Sequence, residues 1–170
     1  SNRRINKISN MKNLLGLILD HNKYNNLFHS EVLGMLGPRW ENNTPKVLKI
    51  IQNLLTQRPN KNCYIASQQL GGKSCFSEIE SSFIHRDSIW KPWINGSWPA
   101  GNKEERNRCL SWMKNCWSEL EFICPGIHLA QMHNHLTWHE KELTLAFKDW
   151  LPKLKKLKLR YDPDNILPPL

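Results

Sequence analysis

Hydrophobic side chains recur at helical spacing along most of this chain, and the pattern predicts an all-α fold. Met11, Leu14, Leu15 and Ile18, for example, stand three and four residues apart and would share one helix face. By the same criterion, helices are predicted over residues 9–20, 23–36, 44–57, 62–70, 77–86, 102–124 and 127–151. We therefore expect a compact single-domain bundle of about six or seven helices, because no strong strand pattern interrupts them.

Two of these helices have clear start signals. Thr44-Pro45 places proline in the first helical turn, where its missing N–H costs nothing. Asn102 and Glu105 have the spacing of a capping box. The apolar stripes that follow predict the buried faces of the two helices: Val47, Ile50, Ile51, Leu54 and Leu55 in the first, and Cys109, Met113, Cys116, Trp117 and Leu120 in the second.

Residues 87–101 break the helical pattern and predict a long loop. The segment contains Trp90, Trp93 and Trp98 together with two prolines and two glycines. A loop of this length usually has a functional or architectural role. The simplest expectation is that the three indole rings fold the loop down onto the core.

The ends of the chain differ in composition from its middle and predict three segments. Residues 1–8 form a basic N-terminal arm, residues 9–160 the helical domain, and residues 161–170 an extended Pro-rich tail. Leucines alternate with basic residues over 157–160, before Tyr161, so a short edge strand over 157–161 is an alternative to helix there.

The net charge of +9 is concentrated at the two ends. Residues 1–60 carry nine basic and three acidic side chains, residues 61–150 carry ten of each, and residues 151–170 carry five basic and two acidic. Such a distribution favours attraction to a polyanion through the ends, although a soluble basic protein without an anionic partner fits it as well.

The charge pattern makes a non-enzymatic nucleic-acid-binding domain the leading hypothesis, possibly of viral origin because asparagine and lysine are abundant. Phosphate contacts would come from the cations near both ends, with binding that weakens as salt rises. The candidate residues are Arg3, Arg4, Lys7, Lys153, Lys155, Lys156, Lys158 and Arg160. A solvated final helix whose leucines pack on the core is the alternative.

A protein–protein interaction module, such as a viral accessory or assembly protein, is the second hypothesis. Trp90, Trp93 and Trp98 would then anchor a protein partner or a second copy of the chain. No cofactor is expected under either hypothesis.

A third hypothesis is a zinc-binding helical domain. Between Cys109 and His139 lie three of the five cysteines and four of the seven histidines. The best four-ligand set is Cys124, His128, His135 and His139, but it lacks the short Cys-x2-Cys spacing of a structural zinc knuckle. Packing of these residues in the core is the competing expectation, because cysteine is often buried.

No motif predicts catalysis or membrane insertion. Gly71-Gly72-Lys73-Ser74 matches only the last part of a phosphate-binding loop, and a helix end explains its glycines. No run of about 18 apolar residues predicts a transmembrane helix. The helical spacing of the cysteines favours a reducing compartment, so an intracellular location, cytoplasmic or nuclear, is expected.

Overall fold

The protein combines an antiparallel β-sheet with α-helices, and the expectation of an all-α bundle is therefore wrong. The computed structural model describes residues 27–76, 81–129, 131, 133–167 and 170. Within them lie β1 (Phe28–Leu36), α1 (Thr44–Thr56), β2 (Tyr64–Gln69), β3 (Trp90–Pro99), α2 (Lys103–Leu120), β4 (Gly126–His128), α3 (His139–Phe147) and α4 (Leu151–Tyr161). The helix predicted over residues 9–20 and the basic arm 1–8 fall outside these ranges.

The four strands form one sheet in the order β2-β3-β1-β4, with every neighbouring pair antiparallel. Leu33 of β1 lies opposite Ile94 of β3, and Met35 lies opposite Ile127 of β4. These side chains are almost fully buried. They form the centre of the core between the sheet and the helices.

Strand β1 occupies part of a segment for which a helix over residues 23–36 was predicted. That prediction relied on Leu27, Phe28 and Val32, yet Leu27 and Phe28 are exposed. The pattern that decides the structure has a period of two: Glu31, Leu33 and Met35 point to one face and are buried. Short apolar runs fit both the helical period of 3.6 and the strand period of two, and pairing with β3 and β4 selects the strand.

Strand β3 occupies most of the predicted loop 87–101. Its sequence looks unsuited to a central strand because proline cannot donate a hydrogen bond to a neighbour. The ladder between β3 and β1, however, reaches back along β3 only as far as Trp93, which pairs with Gly34 and directly follows Pro92 in the chain. Only the ladder with β2 continues past Pro92, so the proline occupies a position where β1 no longer pairs regularly.

The helical predictions for α1 and α2 are confirmed. Asn102 caps α2 by accepting a hydrogen bond from the Glu105 N–H at 3.0 Å, as the capping-box spacing predicts. The predicted stripe of α2 is buried along its whole length, from Cys109 to Leu120. This helix lies on the sheet face that carries Ile94, because a Cβ built on Gly96 would come within 2.5 Å of Met113 Sδ.

Three further helical predictions are wrong in whole or in part. The segment 62–70 contains β2, and residues 81–86 are not helical. The segment 127–151 begins in β4 and becomes helical only at His139. Residues 157–161, considered as a possible edge strand, belong to α4.

Gly37 directly follows β1 and forms one more bridge to β3, at Trp90. We expect Gly37→Ala to destabilise the fold. Its N–H donates to the Trp90 carbonyl at 2.9 Å. An added Cβ would overlap the backbone carbonyl oxygen of Ile123 and lie 2.9 Å from Cys124 Sγ. Because a backbone atom cannot rotate away, the free energy of unfolding should fall by about 1–3 kcal/mol or more.

Urea denaturation measures the effect of Gly37→Ala. Ser67→Ala on the exposed edge of β2 is the control, since it should change stability by less than about 0.5 kcal/mol. Equal stability of the two variants would contradict the close approach of Gly37 to Ile123.

No helix in the described ranges is both long and apolar enough to cross a bilayer.

Candidate functional site

A row of side chains crosses all four strands on the sheet face opposite α2. Ala66 of β2, Trp93 of β3, Gly34 of β1 and His128 of β4 lie directly opposite one another in the register. Small and large residues alternate along this row. Because Gly34 has no side chain, the Trp93 and His128 rings meet over it edge to face, with centroids 5.6 Å apart.

Polar groups surround Trp93 on the same face. Its Nε1–H donates to Gln68 Oε1 at 2.9 Å, and Lys91 Nζ lies 4.0 Å from the centre of the ring. Lys91 is only 7% exposed, and this burial lowers the pKa of its ammonium group. We call Gln68, Lys91, Trp93 and His128 the sheet-face site.

His128 is the neutral imidazole of the sheet-face site. Burial lowers the pKa of its imidazole, and the positive charge of Lys91 lowers it further. The ring is therefore mainly neutral near pH 7. Its Nδ1 is buried and has no hydrogen-bond partner among the described residues. Because Nδ1 is out of reach of a bound molecule, Nε2 is the nitrogen of this neutral imidazole that could accept a proton from one.

A second group of ionisable residues lies beside the other face of β1. We call His29, Glu31, His133, His135 and Glu142 the histidine–glutamate cluster. Oε1 of Glu31 accepts hydrogen bonds from Nε2 of His29 at 2.8 Å and Nε2 of His135 at 2.9 Å. His133 lies between two carboxylates, with Nδ1 at 2.7 Å from Glu142 and Nε2 at 3.4 Å from Glu31.

The backbone explains how the cluster assembles. His29 and Glu31 are two residues apart on β1 and therefore share a face. The chain after β4 runs back along β1, and Gln131 fixes it there by accepting the Val32 N–H at 2.6 Å. This contact brings His133 and His135 to Glu31.

The cluster contains a buried ion pair. Burial alone would raise the pKa of Glu31, but hydrogen bonds from His133, His29 and His135 outweigh it and hold the pKa at about 2. Burial alone would lower the pKa of His133, but Glu142 and Glu31 raise it to about 9. His133 is therefore an imidazolium: its Nδ1 donates to Glu142 at 2.7 Å, and its Nε2 donates to Gln131 Oε1 at 3.3 Å and lies 3.4 Å from Glu31.

A cavity of about 210 Å³ opens beside the cluster. Its wall includes Trp98 and Arg106 together with His29, Glu31 and His135. The side chains of His29 and His135 are about half exposed, whereas that of His133 is 1% exposed. Since the Nε2 atoms of His29 and His135 are held by Glu31, the cluster mainly links β1 to the segment that follows β4.

The four candidate zinc ligands do not come together. Cys124 is buried beside Gly37, His128 contacts Trp93, and His135 binds Glu31. His139 begins α3 and is 8% exposed, with neither ring nitrogen hydrogen-bonded within the described ranges. In that part of the chain, no group of three His, Cys, Asp or Glu side chains has the geometry to hold a metal ion.

The three tryptophans of the predicted loop occupy both faces of β3. Trp90 and Trp98 are 7% and 3% exposed; Trp90 stacks on Trp40 with centroids 4.1 Å apart, and Trp98 contacts His29. Trp90 and Trp98 pack in the core, as expected, but they belong to a strand and not to a loop. Trp93 alone of the three belongs to the sheet-face site.

The C-terminal cations lie on α4 and mostly have local partners. Lys158 forms an ion pair with Asp162, Lys155 lies 3.8 Å from Glu140, and Lys153 and Arg160 lie over the rings of Trp150 and Tyr161. Lys156 is exposed on the same helix. Arg3, Arg4 and Lys7 fall outside the described residues.

Sequence patterns did not indicate five of the site residues: His29, Glu31, Gln68, Lys91 and Glu142. A signal existed for the cluster, because His29-x-Glu31 and His133-x-His135 each place two polar side chains on one face of an extended segment. No comparable signal existed for Lys91, whose position opposite Gln68 depends on the strand pairing.

Comparison with known proteins reveals a shared fold. No family model and no curated protein matches the sequence. Among solved structures, the chain is similar to BBE-like 1 from Physcomitrella patens, with a TM-score of 0.61, 16% identity, and coverage of 84% of this chain and 29% of that one. It is also similar to FgChi7B, with a TM-score of 0.57, 21% identity, and coverage of 82% and 32%.

A third similar structure is berberine bridge enzyme from Eschscholzia californica, with a TM-score of 0.51, 15% identity, and coverage of 86% and 32%. At these identities the likeness establishes the fold. This chain spans about a third of the length of its structural neighbours.

These neighbours contradict the hypothesis of a non-enzymatic nucleic-acid-binding viral domain. They include berberine bridge enzyme and a variant of it described as a reticuline dehydrogenase. The fold is thus one that occurs in enzymes, which conflicts with the expectation of a non-enzymatic protein. The two alternatives lose their structural premises, because the predicted Trp-rich loop is strand β3 and no group of metal ligands comes together within the described residues.

Proposed function

We propose that this chain is the substrate-facing part of an oxidoreductase and that the sheet-face site removes a proton from the substrate. His128 carries the proposal, because its imidazole is neutral and lies against the Trp93 ring beside the positive charge of Lys91. The fold likeness to berberine bridge enzyme and to a reticuline dehydrogenase supports the reaction class.

The chemistry follows from the charges of the site. In the oxidation of an alcohol, His128 accepts the hydroxyl proton at Nε2, since its Nδ1 is buried, while a hydride leaves the adjacent carbon for an acceptor held outside the described residues. A carbon–oxygen double bond forms as the carbon–hydrogen and oxygen–hydrogen bonds break. The ammonium group of Lys91 stabilises the negative charge that develops on the substrate oxygen.

The side chains of the sheet-face site favour a ring-bearing substrate with hydroxyl groups. Trp93 and the half-exposed Tyr64 present aromatic surface on this face, and aromatic rings pack well against flat substrates. Gln68 and Lys91 lie beside Trp93 and supply hydrogen-bonding groups. Binding sites commonly combine apolar walls with a few such polar groups.

A spectroscopic experiment tests the proposal. The natural protein that contains this chain is mixed anaerobically with ring-bearing alcohols, and reduction of its bound acceptor is followed by visible absorbance. Trp93→Ala should raise KM about tenfold or more through the loss of ring contact. Tyr161→Ala, on exposed α4, is the matched control and should leave KM unchanged.

Two outcomes would contradict the proposed function. One is that none of the alcohols reduces a bound acceptor. The other is that Trp93→Ala and Tyr161→Ala have the same KM as the unmodified protein while both variants remain folded by circular dichroism.

A further inference from the structure

Two cysteine sulfurs touch inside the core. Sγ of Cys63 lies 3.5 Å from Sγ of Cys109, although the two residues are 46 positions apart in the sequence. Cys63 precedes β2, and Cys109 is on α2. Both residues have no solvent exposure.

The contact joins three elements of the fold. Both sulfurs approach the carbonyl oxygen of Ser97 on β3, Cys63 at 3.7 Å and Cys109 at 3.4 Å. Asn60 reinforces the same junction, because its side-chain amide donates to the Ser97 carbonyl at 2.9 Å. The two thiols are therefore held where the loop before β2 meets the covered face of the sheet.

We propose that Cys63 and Cys109 are a disulfide-forming pair that cross-links the start of β2 to α2 when the chain folds in an oxidising environment. A disulfide bond has an S–S length of about 2.05 Å, so the sulfurs need to approach by about 1.5 Å. We assign this approach to rotation of the two side chains, whose sulfurs already meet at the Ser97 carbonyl. The inference is independent of the proposed oxidoreductase function.

The chemistry balances with a small-molecule disulfide as oxidant. One thiolate attacks the oxidant and forms a mixed disulfide, releasing one thiol, and the second thiolate displaces the other thiol. The protein loses two protons and two electrons in total, and the oxidant is reduced to two thiols. The remaining three cysteines, Cys75, Cys116 and Cys124, stay as free thiols, which accommodates the odd cysteine count.

The reaction occurs during folding rather than afterwards. In the folded chain, burial and the neighbouring Cys63 raise the pKa of Cys109 to about 12. Since the thiolate is the reactive form, the folded thiol reacts very slowly. An unfolded chain exposes both thiols at their ordinary pKa, and collapse of the core then brings them together.

Mass spectrometry tests the pair directly. The natural protein is refolded in a buffer of reduced and oxidised glutathione, and its intact mass is compared with that of the same sample after reduction. The expected result is the loss of two hydrogens, with tryptic peptides that link Cys63 to Cys109. The Tm of the linked protein should exceed that of the reduced protein by about 5–15 °C.

Cys116→Ala is the matched control, because Cys116 is equally buried on the same helix; it should retain the cross-link, whereas Cys109→Ala should lose it. Protein folded in the reduced state should remain unlinked in the same buffer. A refolded chain with five free thiols, or a link between other cysteines, would overturn the proposal even if the variants failed to fold.

Discussion

Replacing His128 by glutamine should lower kcat on the proposed substrate class by about 10²- to 10⁴-fold, the usual contribution of a positioned general base. Glutamine keeps a polar side chain of similar length opposite Gly34, so KM should change little. The loss would then belong to proton transfer and not to substrate binding. Steady-state kinetics with a ring-bearing alcohol measures both constants.

The pH profile separates a proton acceptor from a merely structural residue. Burial lowers the pKa of His128 below its ordinary value of 6.5, so the proposed activity of the unmodified protein should be lost only as the pH falls below about 6.5. His128→Gln should lack this acid limb. His29→Gln is the control, since His29 is a half-exposed imidazole of the other cluster; its kcat and acid limb should equal those of the parent. An unchanged profile in His128→Gln would exclude the proposed role.

Replacing Glu31 by alanine should lower the free energy of unfolding by about 3–5 kcal/mol, the usual cost of removing one partner of a buried ion pair. The loss arises because His133 remains buried with one carboxylate instead of two. His29 and His135 also lose the acceptor that orders them. Urea denaturation at pH 6 measures the change.

The matched control is Glu41→Ala. Glu41 pairs with Arg39 at 3.3 Å, and both side chains are largely exposed, so its loss should cost less than about 1 kcal/mol. If the two variants were equally stable, the buried ion pair would not contribute to the fold as described.

The same cluster predicts the pH range of maximal stability. The pKa of Glu31 falls from 4.5 to about 2 on folding, so its stabilising effect is present above pH 4.5 and is lost as the pH drops toward 2. The pKa of His133 rises from 6.5 to about 9, so its contribution is present below pH 6.5 and is lost as the pH rises toward 9. Stability should peak between these limits, and Glu31→Gln should weaken both limbs.

Local signals predicted the helices, whereas pairing between distant segments decided the strands. The capping box of Asn102 and Glu105 and the stripe from Cys109 to Leu120 lie within one helix, so the sequence contains the whole pattern. Strand β3 contains Pro92 and Gly96, which indicate a loop when considered alone. Its neighbours β1 and β2 override that preference by pairing with it on both sides.

The candidate sites were harder to predict because their members are far apart in the sequence. The density of histidine after Cys124 made His128 and His135 members of a candidate zinc set that ranked third among the hypotheses, because they are close in the sequence. Their actual partners are Trp93, and Glu31 at a separation of 104 residues. Spacing within one segment contains no information about such contacts.

Gly34 links the spacing of β1 and β4 to the geometry of the sheet-face site. An added carbon there would lie 2.9 Å from the His128 carbonyl oxygen, so a larger residue would push β4 away from β1 and move the imidazole with it. The distance between the proton acceptor and the Trp93 ring is therefore coupled to the spacing of two strands. A single substitution at this position would change both the width of the site and the position of the proposed base, although His128 and Trp93 themselves would stay the same.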